Sequence, residues 1–220
     1  PLDNMANTTR IFLGTHIECA QCHDHPYDKW KQTDFYEMSA FTHGMTTGSS
    51  DERKKYVNQK YNGREEDPDR TKRDVYRWLM DNVYDFGVYG PGDGVITLPM
   101  DFKEKGGKPG EMVKAKSLFP GARNGSSKPM NDGREKFAKW VTDPTNPRFT
   151  LLIANRMWKR MMGVGQFEPV DKYAEPSQDN PTGTVVSNPA LLDYLQNVMR
   201  ETGYDLKAFQ KAIVSSRSYA

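Results

Sequence analysis

Sulfur and imidazole are scarce in this chain: 220 residues hold two cysteines and four histidines. Two cysteines cannot make a disulfide-stapled scaffold, so the fold has to rest on apolar packing. Long apolar runs are missing too. The longest, Leu151-Leu152-Ile153-Ala154, is broken at Asn155 and Arg156, far short of the roughly 20 residues that a membrane-spanning helix needs. Neither sign of charge is in excess, with 31 Lys and Arg against 29 Asp and Glu and a net charge of +2. The two signs are interspersed rather than massed, which gives no case for nucleic-acid binding. What remains is a polar chain of mean hydropathy −0.83. Its 36% hydrophobic and 11% aromatic residues suffice for the core of one large domain or two modest ones, with much surface and loop besides.

The scarce residues are gathered in one place. Both cysteines and all four histidines, His16, His23, His25 and His43, lie between residues 16 and 43. Within that window Cys19-Ala20-Gln21-Cys22-His23 is the Cys-x-x-Cys-His pattern of covalent haem attachment. Two thiols three positions apart can each bond one haem vinyl group, and the histidine that follows is carried under the porphyrin to ligate iron from the proximal side. His25, two residues on, cannot reach the same iron from the same face and is expected to support the site or bind something else. Other chemistry is open to the same residues: a redox dithiol, a closed disulfide, or a non-haem metal site with nearby histidines. The familiar zinc spacings place a second ligand pair a dozen or more residues on, where only His43 stands. A thioredoxin-like site needs a strand and a helix around the pair, and the flanks give no such unit.

Apolar spacing predicts a mainly α fold with a small β element in the middle. Residues 8–17 read as a helix or irregular helix broken by Gly14, leading into the cysteine motif. A short helix from Thr33 or Asp34 to Gly44 follows, with an aromatic face. Tyr27, Trp30, Phe35 and Tyr36 are the nearest side chains to wall a haem, and the same stripe also suits an ordinary amphipathic helix. The stop at Gly44 places His43 or Met45 as the candidate distal ligand. Residues 46–72 read as an exposed connection with one hairpin near 56–61, and 73–86 as a helix. Two short strands are expected at 95–99 and 111–115. Residues 120–129 read as a linker. Four helices then follow at 132–141, 147–162, 188–201 and 205–218, with a long loop at 163–187. Met157, Trp158, Met161 and Met162 fall on a helix and are assigned to its core.

Phe12-Leu13-Gly14, the run from Cys19 through Asp24-His25-Pro26-Tyr27 to Trp30, then Gln32, Asp34-Phe35-Tyr36 and Ala40-Phe41 form one set of strings. Asn146-Pro147-Arg148-Phe149, Asn155-Arg156-Met157-Trp158, Glu168-Pro169-Val170-Asp171, Gly203-Tyr204-Asp205-Leu206-Lys207 and Ser216-Arg217-Ser218-Tyr219 form another. Together the chain resembles the large secreted cytochrome-type proteins of planctomycetes, in which a cytochrome-like domain of unknown function is followed by a helical domain of unknown function. The resemblance implies that Cys19 and Cys22 are thioether residues and His23 the proximal ligand; His16 and His43 lie outside its strings.

The expected organisation is therefore the end of a cytochrome-like domain at 1–45, a loop-rich connector with short strands at 46–130, and a helical C-terminal domain at 131–220. The chain reads as an internal piece of a longer protein. Its expected function is single-electron transfer by covalent haem c, outside the cytoplasm, to a redox partner protein or an adjoining domain. The alternative is a structural or interaction module in which Cys19 and Cys22 form a disulfide or a non-haem metal site.

Overall fold

A computed structural model describes residues 2–48, 74, 78, 87–90, 92, 94–104, 107–119, 133–177 and 180–219. The architecture is mainly helical, as the spacing predicts. Among the described residues the α-helices are α1 (Leu2–Leu13), α2 (Gln32–Ser39), α3 (Gly133–Val141), α4 (Phe149–Met162), α5 (Pro189–Glu201) and α6 (Leu206–Val214). A short 3-10 helix, Glu18–Gln21, carries the first half of the cysteine motif. Two antiparallel pairs complete the fold: β1 (Thr46–Gly48) with β2 (Gly87–Tyr89), and β3 (Val95–Thr97) with β4 (Met112–Lys114). The second pair is the strand pair expected from sequence, in the register Val95 to Lys114 and Thr97 to Met112. Asp74 and Trp78 are helical. The rest of the 73–86 helix, the 56–61 hairpin and the 120–129 linker lie outside the described residues.

Helix α1 starts six residues earlier than its predicted start and ends earlier too. Met5, Ala6, Thr9 and Leu13 are buried at helical spacing and form one stripe. Gly14, at φ +57°, then turns the chain out of the helix. A Cβ at this position would lie 3.0 Å from the Leu152 side chain, so the glycine also lets α1 and α4 approach.

Helix α2 begins before the expected Thr33 or Asp34, because Asp34 acts from inside the first turn. Its carboxylate accepts the Lys31 backbone N–H at 2.9 Å. The Thr33 N–H, another orphan donor of a helix start, is taken at 2.7 Å by Glu104 from the connector. The helix ends at Ser39, and turns carry the chain through Phe41 to Gly44. At the other end of the chain the predicted caps are in place. Asn188 accepts the Leu191 N–H at 3.0 Å, Asp205 accepts those of Lys207 and Ala208, and Gly163 closes α4 at φ +87°.

One core joins the two ends of the chain. Met5, Leu13, Ile17, Trp30, Phe35 and Met38 pack in the same cluster as Ile96, Leu98 and Phe102 of the connector and Phe137, Trp140 and Val141 of α3. Rings run through it: Trp30 meets Phe119 edge-on at 5.5 Å, and Phe119 stacks on Trp140 at 6.2 Å. A second cluster lies between α4, α5 and α6, where Met157 and Trp158 meet Leu195, Met199, Phe209 and Ile213. Met161 and Met162 pack against it half-buried, as their helical spacing predicts.

Candidate functional site

The cysteine motif occupies a tight turn held from beneath. Ala20 is buried, and its N–H donates to the Ile17 carbonyl at 3.0 Å. The Cys22 N–H donates to the Cys19 carbonyl at 3.3 Å. With Ala20 pointing inward, the thiols of Cys19 and Cys22 are exposed, and they are not bonded to each other. The Gln21 carbonyl accepts two hydrogen bonds from α2, at 3.1 Å from Gln32 Nε2 and at 3.2 Å from the Tyr36 hydroxyl. Gln32 is 1% exposed. Its Oε1 accepts the Lys103 N–H at 3.0 Å, and its own N–H donates to Asp24 Oδ1 at 3.1 Å. One buried amide thus ties the motif to the connector. Burial pushes the Tyr36 phenol above its ordinary range, and the nearby Asp101 and Cys22 push it the same way.

The histidines are told apart by their partners. His23 Nδ1 lies 2.7 Å from the Asp24 carbonyl oxygen, and a carbonyl can only accept. Nδ1 therefore carries the hydrogen, and in the neutral imidazole Nε2 keeps its lone pair. Metal-bound histidines are commonly oriented by this kind of bond. His25 is set the other way round: its Nδ1 accepts the Tyr27 backbone N–H at 3.2 Å, which puts the hydrogen of the neutral ring on Nε2. Burial lowers the His25 pKa below 6.5, with Asp28 opposing and Lys172 assisting, so the neutral ring is the favoured form. His16 Nε2 donates to the Asp171 carbonyl at 3.0 Å.

The aromatic residues do not all stand where sequence suggests. Trp30, Phe35 and Tyr36 belong to the core, while Tyr27 is 78% exposed beside the motif. The α2 stripe is thus the packing face of an amphipathic helix. His43 sits in the turn after α2, and Met45 immediately before β1; both are half-buried. The motif is tied to α2 at its first residue, Gln32, and midway along it at Tyr36, whereas His43 and Met45 follow its C-terminal end. Among the described residues no group of three or more His, Cys, Asp or Glu side chains is gathered as a metal site.

Four residues to which the sequence assigned no role complete the setting. Gln32, Glu104, Arg148 and Glu175 each bridge segments distant in sequence. Polar residues of this kind give no periodic signal, and a long-range partner leaves no local trace.

Exposed paired thiols, with an imidazole whose Nε2 is left for a ligand bond, fit covalent haem attachment. Comparison with known families divides the chain. Residues 1–47 match PSCyt2, a protein family of unknown function (DUF1549), and residues 133–220 match PSD1, a protein family of unknown function (DUF1553). Both are planctomycete-type domain families. No curated protein and no solved structure matches the chain. The DUF1549-like segment contains the cysteine motif and α2, and the DUF1553-like segment contains α3 to α6.

Proposed function

We propose that the chain is a c-type haem protein that acts outside the cytoplasm and passes single electrons to a redox partner or an adjoining domain. The observation that carries the reading is the His23 tautomer. In a Cys-x-x-Cys-His sequence the one histidine at ligand position has its Nδ1–H engaged by the Asp24 carbonyl, leaving Nε2 as the coordinating atom. Cys19 and Cys22 would hold the haem through two thioethers, each S–H having added across one vinyl group with no leaving group. Bound haem supplies a one-electron couple whose potential is set by its axial ligands and burial. The chain's own part is to present Cys19, Cys22 and His23 on a turn fixed by Gln32 and Tyr36, and to keep His25 neutral and turned to its own backbone. Tyr27, exposed beside the motif, is available for contact with a partner. The exterior location follows from the chemistry, since haem is joined to such motifs on the outer side of the cytoplasmic membrane.

The deciding measurement is a visible spectrum of the chain produced together with a haem-attachment system. Soret and α bands that survive denaturation are expected, because the bond is covalent. A colourless protein overturns the proposal and leaves the structural module, with Cys19 and Cys22 oxidised to a disulfide or holding another metal.

A further inference from the structure

The long loop between α4 and α5 runs back to the cysteine segment and grips it on both sides. Ahead of the motif, the Tyr173 N–H donates to the Gly14 carbonyl at 2.9 Å, and the Asp171 carbonyl accepts from His16 Nε2 at 3.0 Å. Behind the motif, Glu175 Oε2 accepts from Lys29 Nζ at 3.1 Å, and that ammonium lies 5.0 Å from the centre of the Trp30 ring. The loop is itself tied back, with the Thr184 N–H donating to the Ala174 carbonyl and the Ala174 N–H to the Thr184 hydroxyl, both at 2.8 Å.

A single buried cation stands behind this grip. Arg148, 2% exposed, sends one guanidinium nitrogen to the Tyr173 carbonyl at 2.8 Å and the other to Glu175 Oε1 at 3.2 Å. Its guanidinium carbon lies 4.5 Å from the centre of the Tyr173 ring and 5.2 Å from that of Phe119. A planar fork reaching two acceptors between two rings is a task for arginine and not for lysine. Glu175 consequently joins Arg148 to Lys29, that is, the DUF1553-like segment to the stretch just after the motif.

We infer that Arg148 is a positioning residue for the Cys-x-x-Cys-His segment, acting through Glu175 and Tyr173 so that the DUF1553-like segment supplies the seat on which the DUF1549-like segment presents its thiols and His23. The inference deepens the haem reading, because a ligand turn open to solvent holds its geometry only if its two ends are fixed. It gives a physical reason for the two segments to share one chain.

The test uses the full chain without haem and reads hydrogen exchange over residues 14–32, with 189–201 in α5 as the control. Glu175→Gln alters a half-exposed side chain and keeps the fold. It is expected to speed exchange over 14–32 by about tenfold while leaving α5 unchanged. Arg148→Met should do the same or more, and Arg148→Lys should not restore the protection. In chain that carries haem, Glu175→Gln should also shift the reduction potential with the far-ultraviolet circular dichroism unchanged. If Arg148→Met loosens α5 as well, Glu175→Gln alone decides. Unchanged exchange over 14–32 in Glu175→Gln, or full rescue by Arg148→Lys, overturns the inference whatever the haem content. A colourless wild-type chain whose 14–32 segment still loosens in Glu175→Gln removes the haem reading and leaves Arg148 in its positioning role.

Discussion

Gln32 Nε2 donates to the Gln21 carbonyl at 3.1 Å while its Oε1 accepts the Lys103 N–H at 3.0 Å, so one buried amide closes both sides of the motif's support. Truncating it leaves the Lys103 N–H without a partner and takes one of the two hydrogen bonds from the Gln21 carbonyl. Gln32→Ala should therefore lower stability by about 1–3 kcal/mol, the cost of unsatisfied buried polar groups. A fall in the urea midpoint at constant slope checks this. Tyr36→Phe removes only one of the two bonds to the Gln21 carbonyl, and should cost about 0.5–1.5 kcal/mol.

The helices were legible in sequence wherever the physics is local. Apolar spacing in α4, the Asn188-Pro189 start of α5, the Asp205 cap of α6 and the Gly163 stop each act within one or two turns. The chemistry of Cys19, Cys22 and His23 was likewise written in five consecutive residues. What sequence did not show is set by long-range partners. Glu104 satisfies the start of α2 from 71 residues away, and β1 finds its strand at β2 across a long interval. Arg148 and Glu175 are linked to Lys29, just past the motif, through folded contacts alone. The aromatic run from Trp30 to Tyr36 looked the same whether it faced a ligand or the core. Phe119, Phe137 and Trp140, more than 80 positions on, took that face.

The two thiols and the two near histidines should separate cleanly by spectroscopy. Cys19→Ser should leave at most one thioether, seen as a shifted α band in the pyridine haemochrome; an unchanged two-thioether spectrum would count against attachment at Cys19. His23→Ala should lose the native axial-ligand spectrum. His25→Ala should keep it, since the His25 Nδ1 lone pair is engaged by the Tyr27 N–H.

Acid should loosen the turn after α4 through Glu168. Its carboxylate accepts from Lys159 Nζ at 2.8 Å and from the Gly165 N–H at 2.9 Å, and these bonds, the lysine's first, hold its pKa below the ordinary 4.5. A carboxylate lowered in the folded state contributes stability above its unfolded value, and that contribution is lost as the pH falls through the folded value. Glu168→Gln should thus weaken the wild-type chain's loss of stability below pH 4.5. Urea midpoints measured along an acid series for both proteins check the sign; parallel curves would show that Glu168 contributes nothing to it.

The distal side gives the sharpest choice between two neighbours. His43 and Met45 follow the C-terminal end of α2, and the motif is tied to the helix at Gln32 and Tyr36, so either side chain must reach back along a helix that rises about 1.5 Å per residue. His43 has the nitrogen donor that gives a low-potential bis-histidine centre, and Met45 the thioether that gives a higher one. A measured potential at the low end should be accompanied by loss of the low-spin spectrum in His43→Ala and its retention in Met45→Ala; a high potential reverses the two expectations. If neither substitution alters the spectrum, the distal ligand comes from outside this turn or the iron is five-coordinate. Binding of a small exogenous ligand such as cyanide or carbon monoxide separates those two cases: a five-coordinate iron binds it rapidly, and a site closed by another protein ligand binds it slowly.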